Sequence, residues 1–298
     1  MKDQNSRTET GEVIALVGAG RAGQALAQLF AERGIPVNAV VDIDFQKAEA
    51  CQRLCSSTIA STQLDDLTQN TAIVLIAVPD DAIADVGDQL AAGNIVTRNI
   101  IAVHTSGLLS SRVLKRVSES DGLVASFHPC TSFVEGAPAT LDGVCITLEG
   151  DDEAVQRLTV LARKLGAIPK RISADAKPLY HAACALASNH FVALLRVAGQ
   201  MMAHLGDPDG MKTLLPLIRT TLGHVEESGV KAALTGPVSR GDCGTVQQHI
   251  QALAQYDPAI LDIYRTTGTI LVRMAEQQGL PAETIQRLDT IFRQIGEI

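Results

Sequence analysis

Tryptophan is absent from the 298 residues and aromatic side chains make up only 3% of them. Positive charge is also short, since 25 Lys and Arg face 33 Asp and Glu for a formal charge of −8. A basic, aromatic-studded surface for nucleic acid is therefore not expected. The six cysteines (Cys51, Cys55, Cys130, Cys145, Cys184 and Cys243) contain no C-x-x-C pair. That excludes a zinc ribbon or disulfide frame as an expectation, so the thiols read as reduced, and no other metal cluster is visible. Long apolar runs are missing too: the strongest, Thr71 to Pro79, is far shorter than the roughly 18 residues that cross a bilayer. Met1 to Glu12 is polar and lacks the apolar stretch of a secretory leader. The expectation is a cytoplasmic protein with no membrane partner and a loose tail over residues 1–11.

What is present is enough apolar material for sizeable cores, at 46% of the chain against 19% charged. At roughly 150 residues per domain, the length suggests two domains. The first half alternates β-branched runs with amphipathic helical patterns. Strands are expected near Val13–Val17, Val37–Val41, Ile73–Val78, Ile100–Val103, Leu123–Phe127, Val144–Leu148 and Ile168–Ile172, with helices at 21–33, 45–54, 82–91 and 152–165. Continuous apolar strands between helices imply an α/β, doubly wound, mostly parallel sheet covered on both faces. After Ser173 the strands stop. Helical stretches follow at about 175–205, 208–227, 243–255, 257–278 and 281–295, punctuated by Gly-Pro and Asp-Pro breaks. The expected division is an α/β domain over 12–172 and an all-α domain over 173–298, the second serving substrate and dimer contacts.

Val13 to Val17 runs into Gly18-Ala19-Gly20-Arg21-Ala22-Gly23, a G-x-G-x-x-G turn that opens a helix. In this context the first glycine permits the tight turn, the second admits a pyrophosphate, and the third lets helix and strand pack closely. Dinucleotide binding is the reading, with a purely structural glycine turn as its rival. Asp42 ends the second strand, where a carboxylate accepts from a ribose 2′-OH and repels a 2′-phosphate. NAD(H) is thereby favoured over NADP(H), unless Asp42 turns aside and Asp44 or Lys47 shapes the pocket. Val78-Pro79-Asp80-Asp81 leaves the third expected strand, with Val78 and Pro79 against the cofactor and Asp81 read as a helix cap.

Two later strands end in polar clusters, His104-Thr105-Ser106-Gly107 and His128-Pro129. Strand carboxyl ends face the ligand crevice of an open α/β sheet, so both clusters are expected near the nicotinamide. His104 and Thr105 are assigned to the cofactor, and Ser106 and His128 to the substrate; either histidine relays a proton or merely fixes a loop. Further on, Pro178 belongs in a first helical turn capped by Ser173 or Asp175, which puts Lys177 at the positive end of the helix dipole. That field is expected to lower the Lys177 pKa. At about 100° per residue, Lys177, His181, Cys184 and Ser188 share one face, with Asn189 at its flank. Thr235 to Asp242 is dense in turn residues around Arg240. It reads as a shaped loop offering Arg240 to an anionic substrate, with Asp242 capping the next helix, or else as an ordinary inter-helix turn.

Together, G-x-G-R-x-G, Pro79-Asp80-Asp81, His104-Thr105-Ser106-Gly107, His128-Pro129, Lys177…His181…Asn189 and Thr235-Gly236-Pro237-x-Ser239-Arg240-Gly241-Asp242 resemble one known family. It is the Rossmann-like family whose helical half is the domain of unknown function DUF2520, similar in design to 6-phosphogluconate and β-hydroxyacid dehydrogenases, pyrroline-5-carboxylate reductase and ketopantoate reductase. The resemblance implies a dimeric NAD(P)-dependent oxidoreductase acting on a small carboxylate. Because some members are alternative ketopantoate reductases, reduction of a 2-keto acid such as 2-dehydropantoate is the expected activity. Catalysis is then assigned to Lys177, His181 and Asn189, by likeness to dehydrogenases in which a Lys and an Asn of one helix act on the reacting oxygen. Two departures stand out: His181 replaces the Asn of ketopantoate reductases, and Asp42 replaces the small or basic residue of many relatives. The alternatives are an imine reductase and a non-catalytic dinucleotide sensor or scaffold.

Overall fold

The computed structural model describes residues 12–293 apart from 69, 94–95, 97–98, 135 and 137–138; the tail over 1–11 lies outside the described residues. Packing divides the chain into two compact units, Met1–Ala187 and Ser188–Ile298.

The first unit carries strands β1 (Ile14–Val17), β2 (Val37–Val41), β3 (Ile59–Ser61), β4 (Ile73–Ile76), β5 (Ile101–His104), β6 (Leu123–Pro129), β7 (Cys145–Gly150) and β8 (Ile168–Arg171). They form one sheet in the order β3-β2-β1-β4-β5-β6-β7-β8. Every pairing is parallel except β6 with β7, which is antiparallel. All seven expected strands are present, and β3 is an addition. At three residues it is too short to leave a periodic signal, and pairing with β2 defines it. Helices α1 (Arg21–Glu32), α2 (Phe45–Cys55), α3 (Ile83–Ala92), α4 (Lys115–Glu119), α5 (Asp152–Lys164) and α6 (Lys177–Ala185) complete this unit.

Strand alternation builds two cores from one sheet. Ile14 and Leu16 of β1 face Leu26, Phe30 and Leu158, whereas Ala15 and Val17 join Ile83, Leu90 and Val117 on the opposite face. Each fully buried Leu, Ile or Phe contributes about 2 kcal/mol of burial. The sheet is thus held from both sides, and its strand carboxyl ends become a fixed platform.

The second unit contains α7 (Phe191–His204), α8 (Gly210–Ala233), α9 (Pro237–Arg240), α10 (Cys243–Tyr256), α11 (Pro258–Gln277) and α12 (Ala282–Arg293). Its core gathers Val246, Ile250, Leu253, Val272, Leu288 and Phe292. Gly268 lets the Phe292 ring lie against α11, since a Cβ there would fall 2.1 Å from that ring. Asp242 and Asp257 cap α10 and α11 through the backbone N–H groups of Thr245 and Ala259.

Three local expectations are corrected. The run Ala174–His204 is long enough, with a window of mean hydropathy 1.3, to cross a membrane by length and composition. It holds no long unbroken apolar stretch, because its apolar positions are interspersed with small and polar ones. The same run contains a π-helical turn, Leu186–His190. The extra residue in that turn shifts the helical phase, so Ser188 and Asn189 leave the line set by Lys177, His181 and Cys184. Neither Ser173 nor Asp175 caps the start of α6 with its side chain; Asp175 instead pairs with Arg112 at 3.4 Å.

Candidate active site

The turn between β1 and α1 assigns each glycine a different physical job. Gly18 has φ +99°, and a Cβ there would lie 2.6 Å from the Ala77 carbonyl oxygen. At Gly23 a Cβ would fall 2.0 Å from the Gly18 carbonyl oxygen. Gly20, by contrast, has nothing within 4 Å of its Cβ position, so the space above it is open. That space belongs to a cavity of about 640 Å³ lined by Gly20, Arg21, Gln24 and Lys47 among others. The first turn of α1 contains no acidic side chain. Open backbone at a helix N-terminus with two cations on the cavity wall fits the pyrophosphate of a dinucleotide.

Asp42 follows β2 and braces this turn. One carboxylate oxygen accepts from the Ala19 N–H at 2.7 Å and the other from the Asp44 N–H at 2.9 Å. Asp44 in turn caps α2 and lies 3.9 Å from Lys47. Each oxygen of Asp42 has a lone pair left for a ribose hydroxyl.

Next along the sheet, the loops after β4 and β5 are tied together. The Ser106 hydroxyl donates to Asp80 at 2.8 Å and accepts from the N–H groups of Leu108 and Leu109 at 3.1 and 3.0 Å. All of its hydrogen-bonding capacity is spent, so this hydroxyl is a loop clamp and not the substrate donor the sequence suggested. Asp81 does not cap: the turn Asp80–Ala82 has no side-chain cap, and Asp80 is the acid of the pair that does the tying. His104 is 0% exposed, and its Nδ1 accepts from the Ser106 N–H at 3.2 Å. Desolvation, followed by the nearby Lys177 charge, lowers its pKa from 6.5 to about 4. His104 is therefore a neutral internal brace, with no surface to offer a cofactor. Thr105 reaches back to the Ile76 carbonyl through its N–H at 3.1 Å. Val78 and Pro79 stay accessible beside this loop.

Lys177 lies at the start of α6 as expected, yet it is 0% exposed. Its ammonium donates to the Ser106 carbonyl oxygen at 3.0 Å and to the Ser126 hydroxyl at 2.8 Å. Burial lowers its pKa from 10.5 to about 8, opposed by the charges of Glu149 and Asp80. The cause is thus desolvation, where the sequence had suggested the helix dipole. Ser126 and Glu149 are register partners across β6 and β7. Glu149 is itself buried and accepts from the backbone N–H and hydroxyl of Ser111 at 2.7 and 2.8 Å.

Beside this buried cation lies a second group with some exposure. His128 Nδ1 and the Tyr180 hydroxyl are 2.8 Å apart. Burial, then the Lys177 and His181 charges, lower the His128 pKa to about 4, and burial pushes the Tyr180 phenol up. With His128 neutral, the tautomer that carries its proton on Nε2 lets the Tyr180 hydroxyl donate to Nδ1. The rings of His128 and His181 stand edge-on, 5.9 Å apart. Both close on Gly107, where a Cβ would fall 2.7 Å from His128 Nε2 and 2.5 Å from His181 Nδ1. His181 Nδ1 is buried and has no hydrogen-bond partner among the described residues.

The structure thus brings Lys177, His181, His128, Ser106 and His104 together at the carboxyl ends of β5 and β6. Asn189 and Arg240 belong to the second unit, each solvent-exposed. Sequence reasoning missed Tyr180, Ser126, Glu149 and Asp80. Tyr180 sits one residue before His181, and the register of β6 with β7 supplies Ser126 and Glu149; only the tertiary pairing marks them.

Among known proteins, residues 2–129 match the family described as a Rossmann-like domain, and residues 144–270 match the domain of unknown function DUF2520. The class is therefore a Rossmann-like fold with a helical second half. The chain thus joins a match to a Rossmann-like domain with a match to DUF2520. No curated protein matches the sequence. Many solved structures share the fold, and three of them follow. The NADP oxidoreductase candidate BF3122 from Bacteroides fragilis has 20% identity and a TM-score of 0.72, over 89% of this chain and 98% of that one. TM1727 from Thermotoga maritima has 24% identity and a TM-score of 0.69, over 89% and 99%. An imine reductase from Pseudomonas sp. has 20% identity and a TM-score of 0.62, over 95% and 99%.

Proposed function

We propose that the protein is an NAD(P)-dependent oxidoreductase that reduces the carbonyl of a small 2-keto acid, with 2-dehydropantoate as the first acceptor to test. The observation that carries this reading is the pairing of a dinucleotide-fitting turn, open only above Gly20, with a polar cluster at the ends of β5 and β6. Gly18, Ala19, Gly20, Arg21, Ala22 and Gly23 would hold the pyrophosphate. Asp42 would take the adenosine ribose, which favours NADH over NADPH. The bound nicotinamide supplies a hydride.

The chain's own residues must then bind the acceptor and deliver one proton to its oxygen. The acceptor oxygen would lie beside His128 and His181, whose rings close on Gly107. His128 donates a hydrogen bond from Nε2 while Tyr180 fixes its tautomer, and His181 delivers the proton. Lys177 acts from beneath, as a buried positive charge that favours the developing oxyanion without touching it. Asn189 and Arg240 keep in this proposal the roles that the sequence assigned, Asn189 in catalysis and Arg240 against the substrate carboxylate.

Steady-state oxidation of NADH and NADPH against a panel of keto acids and cyclic imines tests this. Turnover on a keto acid with NADH preferred supports the reading. Turnover on imines alone replaces it with imine reduction, the second reading, favoured by the Tyr180 phenol that burial keeps protonated beside His128. Cofactor binding without any turnover supports a sensor.

A homodimer forms part of this proposal. Helix α7 has no buried residue, and Val192, Leu205, Leu217 and Val230 of the helical half are each more than 60% exposed. Such an apolar surface suits a second copy of the chain.

A further inference from the structure

The Tyr180–His128 pair has two thiols on its flank. Cys130 follows directly after β6 and Cys184 lies near the end of α6, and their sulfur atoms are 3.5 Å apart. They are 54 positions apart in sequence, so only the fold brings them together. Cys184 is one helical turn beyond Tyr180, whose hydroxyl interacts with both thiols. A third thiol, Cys145, begins β7, and its carbonyl oxygen accepts from the Cys130 N–H at 2.8 Å. The remaining three, Cys51, Cys55 and Cys243, are buried, and desolvation pushes Cys51 up to about 12. Only the cluster around Cys130 is therefore open to a reagent.

We infer that Cys130 and Cys184 are a modification site, forming a reversible disulfide when a hydroperoxide oxidises them. Cys130 is the exposed thiol and Cys184 the more enclosed one, held above its ordinary pKa chiefly by burial. Cys130 is thus the nucleophile and Cys184 the resolving partner. In the first step the Cys130 sulfur attacks one peroxide oxygen, the O–O bond breaks, and a sulfenic acid forms with release of water or alcohol. In the second the Cys184 sulfur displaces the sulfenic oxygen as water, and its thiol proton leaves with that water. Two thiols lose two electrons and two protons in all, and the peroxide takes up both. A disulfide needs sulfurs about 2.05 Å apart, so the two thiols close from 3.5 Å when they are oxidised. The bond would fasten the end of β6 to α6, the helix carrying Lys177, Tyr180 and His181. A thiol reductant restores the open form.

The test uses the full chain, purified under reductant, freed of it, treated with hydrogen peroxide and digested without reduction. The expected result is loss of two hydrogens by intact mass, two fewer thiols alkylated by N-ethylmaleimide, and a peptide linking Cys130 to Cys184. Cys145→Ser keeps that link. Cys184→Ser loses it and leaves a sulfenic acid on Cys130 that dimedone traps. A link to Cys145, a link between chains, or a sulfenic acid that persists in the wild type each overturns the inference, as does unchanged thiol count. None of these readouts depends on the proposed reductase activity.

Discussion

Lys177 is a whole lysine in the interior, and its surroundings decide what it can do. Because its ammonium is fixed by Ser106 and Ser126, Lys177→Met should lower turnover about a hundredfold, the usual loss when a preorganised charge is removed. The dinucleotide Kd, measured by fluorescence titration, should stay within about threefold, because the glycine turn is untouched. Gly107→Ala places a methyl against His128 and His181. It should cut turnover about tenfold or more through misplacement of the two rings, while circular dichroism stays native. The two lowered histidines set the acid behaviour. His104 and His128 have folded pKa values of about 4 against an ordinary 6.5, so the unfolded chain binds more protons between those limits. Their contribution is intact above about 6.5 and is lost as pH falls toward 4. Acidifying from about pH 7 to about pH 5 should cost on the order of 2 kcal/mol for His104 alone, read from urea unfolding. Lys177, with a folded pKa of about 8 against 10.5, works in another window: its burial penalty is relieved as pH rises from 8 to 10.5.

At the scale of the element, the turn from β1 into α1 separates binding from folding. Gly20→Val puts a side chain into open space and leaves the packing alone. It should abolish measurable NADH binding without shifting the melting temperature. Gly18→Ala must strain a positive φ and crowd Ala77, so it should cost about 1–3 kcal/mol of stability. Equal effects of the two substitutions on melting would remove the distinction. The strands were legible because their β-branched runs and alternation are local signals, and the G-x-G-x-x-G spacing in its strand-turn-helix setting marked the turn. The π turn at Leu186–His190 was not, because a single extra residue in a helix leaves the apolar pattern almost unchanged.

For the whole molecule, the exposed apolar helices of the second unit give the expectation most open to a direct check. Sedimentation equilibrium should return twice the chain mass, and Leu217→Glu, at a position 64% exposed, should shift it toward the monomer. If the run Ala174–His204 is an interface segment, flotation with phospholipid vesicles should leave the protein in the aqueous fraction; co-flotation would assign that run to lipid.

The sequence by itself determined the order of the longer strands and helices, the G-x-G-x-x-G turn, the place where strands give way to helices, and Lys177 with His181 on one helix. Those properties follow from periodicity, glycine spacing and proline placement, all of which act between near neighbours. Tertiary structure alone decided which polar groups are spent and which are open. Ser106 turned from a ligand residue into a brace because Asp80, Leu108 and Leu109 use up its hydrogen bonds, and His104 because it is fully buried with Nδ1 held by the Ser106 N–H. Lys177 became a buried charge because Ser126 on β6 lies beneath it. Tyr180 acquired a partner because β6 delivers His128 to α6. Hydrogen bonds and desolvation between residues dozens of positions apart are set by sheet order, and no spacing in the chain encodes them.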